Sequence, residues 1–159
     1  SGMGAPDAGR TAVKEVLDAW GIPREAYALA DGSGLSRHNY LCAEMLVAIL
    51  RQMHVDPRHK EPFLAALPVG GENGTMARRF AGTAAAGNVR AKTGSISNVR
   101  ALSGYVMSAD GEPLVFSIIA NNFTAPQSVI DAATDEAVVR LATFVRNTSD
   151  RNVPHEFNH

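Results

Sequence analysis

Val89-Arg90-Ala91-Lys92-Thr93-Gly94-Ser95-Ile96 marks the point where the character of this sequence changes. Upstream of it, apolar residues recur at helical spacing; from Val89 onward they fall into short extended runs. Val89 to Ile96 reads as a strand, Val99 to Ala109 as a second and Leu114 to Ala120 as a third. Asp110-Gly111 between the last two is a hairpin signal, because the glycine supplies the positive φ that a tight reversal needs. Alternation sends Leu102 and Val106 to one face and Tyr105 and Met107 to the other. Apolar residues on both faces imply a sheet covered on both sides, antiparallel by its hairpin.

Beyond the strands, Val129, Ile130, Ala133, Ala137, Val138, Leu141, Phe144 and Val145 mark a long final helix able to cover one face. Before them, Val13, Val16, Leu17 and Trp20 predict a helix closed by Gly21 and Pro23. Ala28 to Asn39 is a Gly/Ser/Asp loop. Cys42, Met45, Leu46, Ile49, Leu50 and Met53 then share one face of a second helix, with Asn39 or Ser36 as its cap. Glu61 to Leu67 reads as a short helix ended near Pro68, and Gly70 to Gly74 as a loop. Thr75 is expected to cap a helix from Met76 to Ala81. The order is helices, an antiparallel meander, then one long helix, an α/β arrangement. Residues 1–147 read as one domain and 148–159 as a polar tail broken by Pro154. Three strands make a small sheet for this length, and strands supplied from elsewhere would complete it.

Composition narrows the function classes. Of 159 residues, 45% are hydrophobic and 19% charged, a globular balance. The net charge of -1, with basic residues scattered, argues against a nucleic-acid binder. Cys42 is the sole cysteine, so neither an intrachain disulfide nor a thiol-rich metal site can be drawn. No apolar run approaches the roughly 18 residues of a membrane span, and Ser1 to Arg10 lacks the apolar core of a secretion signal.

Two motifs carry chemistry. Lys92-Thr93-Gly94, followed by Ser95, lies in the strand that leads the hairpin. A K-T-G strand is one of three signatures of serine penicillin-recognising enzymes, beside S-x-x-K and S-D-N. A lysine there places positive charge by a nucleophile and a substrate carboxylate, a hydroxyl residue holds that carboxylate, and glycine leaves room for a substrate along the strand edge. The second motif is Asp31-Gly32-Ser33-Gly34-Leu35-Ser36-Arg37-His38-Asn39, a turn-rich loop several dozen residues upstream.

In order and spacing, these motifs make the chain resemble the class C low-molecular-mass penicillin-binding proteins, the serine-type D-alanyl-D-alanine carboxypeptidase/endopeptidase family. The Gly-rich segment Gly70 to Ala81, the hairpin and the final helix match as well, so the resemblance runs from about Gly9 to Asn147. It implies the C-terminal part of the penicillin-binding/β-lactamase-like transpeptidase fold. It implies Lys92 as the active-site lysine, Thr93 and Ser95 as hydroxyls for a terminal carboxylate, Gly94 as the open strand position, and the Ser95 N–H as one half of an oxyanion hole. Arg37 is a candidate for the same carboxylate, and Asp31 and Ser36 are loop-shaping residues. The implied partners are peptidoglycan stem peptides, β-lactams and the N-terminal part of the same protein, in the periplasm; no metal or organic cofactor is implied.

The departure from the family is large. The lysines are Lys14, Lys60 and Lys92, and the residues three before them are Thr11, Pro57 and Val89, so no S-x-x-K nucleophile exists in this chain. Nor does an S-x-N signature precede the Asp31 loop. The expectation is a C-terminal portion, inactive alone, that supplies one wall of a site. The alternative is a non-catalytic module that binds cell-wall peptides or a protein. Other motifs carry less. His155-Glu156-Phe157-Asn158-His159 fits the zinc-peptidase pattern H-E-x-x-H, but it ends the sequence in a polar stretch after Pro154, without a downstream third ligand. Asp31 to Leu35 fails the G-x-S-x-G elbow at both ends, and Gly70 to Gly74 lacks the ending of a phosphate loop.

Overall fold

In a computed structural model describing residues 4–146, the chain begins with helix α1, Ala5–Ala19. Pro6 suits its first turn, where a missing N–H goes unused. The helix starts earlier than its apolar spacing suggests and ends as expected, with Gly21 at φ +71°. Its buried residue Leu17 meets Ile22 and Met45 in a small core.

Strands β1, Tyr27–Ala28, and β2, Tyr40–Leu41, pair antiparallel at the base of the Asp31 loop. Helix α2 follows as Ala43–Val55. The expected caps Asn39 and Ser36 do not cap it: Cys42 holds that position without a side-chain bond. Tyr40 and Leu41 are drawn into the ribbon, so the helix begins beyond reach of both. Helix α3 is Lys60–Ala66, as predicted. The expected helix Met76–Ala81 is instead a single 3-10 turn, Gly74–Met76, with Thr75 inside it and Asn73 at the cap position. Met76 is completely buried and pins the turn; Phe80, at φ +68°, and Gly82, at φ +74°, then turn the chain away from helical continuation.

The meander is as predicted: β3 Arg90–Ile96, β4 Val99–Met107 and β5 Pro113–Asn121, in that spatial order. Gly111 at φ +81° closes the second hairpin. Helix α4, Gln127–Thr143, lies on the face that carries Ala91, Leu102, Val106 and Phe116, with Val138 and Ala142 inside that core. On the other face Tyr105 packs with Leu50 of α2 and Leu67, just after α3. The sheet is therefore covered on both faces. The Tyr105 hydroxyl donates to the Leu50 carbonyl at 2.7 Å, and burial pushes its pKa up to about 12.

Two close approaches fix where β3 runs. A Cβ on Gly104 would collide with the Arg90 carbonyl oxygen and lie 2.6 Å from the Ala91 Cα. On the outer side of β3, the Gly70 N–H donates to the Val89 carbonyl at 2.9 Å and the Ala91 N–H to the Pro68 carbonyl at 3.0 Å. This bridge, centred on Val69 and Arg90, covers the beginning of the β3 edge and then stops. Among the described residues no helix is long and apolar enough to cross a membrane. The polar tail and the H-E-x-x-H pattern lie outside the described residues.

Candidate functional site

Strand alternation sorts the K-T-G residues. In an antiparallel pair, successive peptide groups point alternately to the two neighbours. The Val89 carbonyl and the Ala91 N–H are spent on Pro68–Gly70, so the peptide groups of Thr93 and Ser95 point to that same outer edge. There the covering strand has ended. Side chains alternate as well. Thr93 stands opposite Leu102 and Ser95 opposite Arg100, so both hydroxyls leave on the α4 side of the sheet. Lys92, opposite Ser103, and Gly94, opposite Ala101, look to the α2 side.

The exposed Lys92 amine donates to the Thr93 carbonyl at 2.7 Å, which fixes a positive charge at the start of the open edge. A Cβ on Gly94 would sit 3.3 Å from that of Ala101, so glycine here relieves crowding against β4 as well as leaving the surface bare. The Thr93 hydroxyl lies 3.0 Å from that of Thr75. Thr75, expected at a helix cap, stands instead against the K-T-G strand.

The Asp31 loop is knitted by its own side chains. Asp31 Oδ1 accepts from the Ser33 N–H at 3.1 Å, the Ser33 hydroxyl at 2.8 Å and the Asn39 amide at 3.2 Å. The Asn39 side-chain oxygen accepts from the Ala30 N–H at 2.7 Å, and the Ser36 hydroxyl from the His38 N–H at 3.2 Å. The bonds from Ser33, its hydroxyl first, and from the Asn39 amide hold the Asp31 carboxyl below the usual aspartate range. Asp31 and Ser36 shape the loop, as expected. Arg37 is exposed and, among the described residues, takes part in no hydrogen bond or ion pair, so it does not brace the loop.

A groove of about 820 Å³ joins the two motifs. Asp31, Gly34, Ser36 and Arg37 line one side, and Gly94, Ser95 and Ile96 the other, over an apolar floor that includes Met45, Ile49 and Ile119. Lys92 and Thr93 lie just outside it on the same strand. The structure thus brings Arg37 to Gly94 and Ser95 around one cavity. Among the described residues no three His, Cys, Asp or Glu side chains gather as a metal site.

The sequence model of the D-Ala-D-Ala carboxypeptidase 3 (S13) family matches residues 2–144. The chain is 44% identical over 149 residues to the D-alanyl-D-alanine carboxypeptidase of Actinomadura sp. (strain R39), an alignment covering 91% of this chain and 27% of that protein. It is 34% identical over 141 residues to the D-alanyl-D-alanine carboxypeptidase DacB of Haemophilus influenzae, covering 87% and 28%. It thus spans little more than a quarter of the length of these relatives. The crystal structure of penicillin binding protein 4 (dacB) from Haemophilus influenzae superposes with a TM-score of 0.74 at 29% identity, covering 86% of this chain and 32% of that one. A predatory endopeptidase from Bdellovibrio bacteriovorus shares the fold at a TM-score of 0.71 and 19% identity, covering 87% and 39%.

Proposed function

This chain belongs to the D-Ala-D-Ala carboxypeptidase 3 (S13) family, and from that premise we propose that it forms one wall of the active site of a serine-type D-Ala-D-Ala carboxypeptidase acting on peptidoglycan stem peptides and binding penicillins. The observation that carries the reading is the open β3 edge, with the peptide groups of Thr93 and Ser95 outward, a lysine beside it and Arg37 across the groove. Such an edge suits an extended peptide that ends in a carboxylate.

The nucleophile is a serine on a part of the protein outside this chain, consistent with the absence of S-x-x-K here and with the quarter-length match. Its oxygen attacks the carbonyl between the last two D-alanines. The Ser95 N–H donates to the oxyanion that develops on that carbonyl. Lys92 supplies positive charge beside the reacting groups, Thr93 and Ser95 offer their hydroxyls to the terminal carboxylate, and Arg37 adds positive charge across the groove. The C–N bond then breaks, D-alanine leaves with a proton on its amine, and water hydrolyses the acyl-enzyme. No cofactor takes part, and the reaction belongs in the periplasm.

Intact mass spectrometry after incubation with benzylpenicillin tests this. The expected result is an unmodified chain, with one penicillin added to the complete gene product. An adduct on this chain alone overturns the assignment of the nucleophile and directs attention to Ser33, Ser36 and Ser95.

A further inference from the structure

We propose that Thr75 is a positioning residue for the substrate carboxylate, acting through Thr93; this rests on the reading of Thr93 as a carboxylate-binding hydroxyl. The two hydroxyl oxygens lie 3.0 Å apart although the residues are 18 positions apart in sequence. The turn that presents Thr75 is firmly built. Met76 anchors it with no exposed surface, its carbonyl accepts from the Gly71 N–H at 3.0 Å, and the Asn73 side chain accepts from the Val69 N–H at 2.9 Å. Thr75 itself is exposed, so its hydroxyl does nothing for the core.

The chemistry follows from counting protons. A hydroxyl has one hydrogen to donate and two lone pairs to accept with. With no ligand bound, the Thr93 hydroxyl donates to that of Thr75, and rotation of the two hydroxyl hydrogens can reverse this bond. A carboxylate only accepts, so when one docks Thr93 turns its single O–H toward it. The pair then survives only if Thr75 donates to Thr93. The result is a directed chain, Thr75 to Thr93 to carboxylate, in which the first bond polarises and orients the second. Thr93 is also stiff at χ1, so fixing its rotamer fixes where the hydroxyl points. Thr75 touches no substrate atom in this scheme; it sets the direction of the group that does.

The test uses the complete gene product and compares acylation rates by benzylpenicillin and by its methyl ester, which lacks the carboxylate. Thr75→Val keeps the shape and removes the donor, and it should lower the acid-to-ester rate ratio about five-fold, the size of one lost hydrogen bond. Thr75→Ser should restore the ratio, and Thr93→Val should lower it at least as far. A purely structural role for Thr75 would slow acid and ester alike and leave the ratio unchanged. If Thr93→Val lowers the ratio while Thr75→Val does not, the inference is overturned and the carboxylate reading stands. If Thr93→Val leaves the ratio unchanged, the carboxylate reading falls and the inference with it.

Discussion

Gly104 has no room for a side chain, because β3 passes directly over it at Arg90 and Ala91. Gly104→Ala should therefore cost at least about 2 kcal/mol, through displacement of the strand that bears Lys92 to Ser95 rather than through lost hydrophobic burial. Chemical denaturation of the variant measures this, and a loss within error of zero would mean that β3 can slide. At this scale the sequence was most legible where chemistry is concentrated in one run. Lys92, Thr93, Gly94 and Ser95 are contiguous, and the Asp31 loop carries its own hydrogen-bonding residues, so both motifs stand out without a structure. Thr75 did not. A threonine after a glycine-rich stretch has the local signature of a helix cap, and its bond to Thr93 depends on a contact 18 residues away that no local pattern encodes.

Elements were predicted well where periodicity is long. The three strands, α3 and α4 lie where alternation and helical spacing put them. The two-residue strands β1 and β2 were missed because so short a ribbon has no period to read, and their loss from the reading also moved the start of α2. The packing of α2 on the sheet makes its own prediction. Tyrosine ordinarily loses its proton near 10.0, whereas burial raises Tyr105 to about 12, so the folded state keeps a proton that the unfolded chain has given up. The stability this contributes is complete below pH 10 and is lost as pH rises toward about 12. Tyr105→Phe should cost about 1 kcal/mol at neutral pH, from the lost bond to Leu50, and should flatten the decline above pH 10. Denaturation curves across that pH range decide it; an equally steep decline in the variant would show that another group is responsible.

For the molecule as a whole, the three-stranded sheet of the described residues leaves β5 at one edge. Strand β5 runs from Pro113 to Asn121 and, among the described residues, pairs only with β4. An unpaired edge nine residues long is a template for another strand. The chain should self-associate as concentration rises, seen by light scattering after size exclusion. A monomer at every concentration would show that the β5 edge is already protected. The groove between the Asp31 loop and β3 could not be read from sequence at all, because it depends on how α1, the small ribbon and α2 stack beside the sheet.

The other edge of the sheet behaves differently, and its shape acts as a ruler. Pro68–Gly70 occupies the first stretch of β3, leaving Thr93 and Ser95 as the outward pair, a berth about 7 Å long at strand spacing. A peptide laid there cannot slide further back, since it meets a backbone already bonded to Val89 and Ala91. Nor can it slip by one residue without turning its side chains to the wrong face. The reading frame of any strand added at this edge is thus set by a mechanical stop, two residues before Thr93.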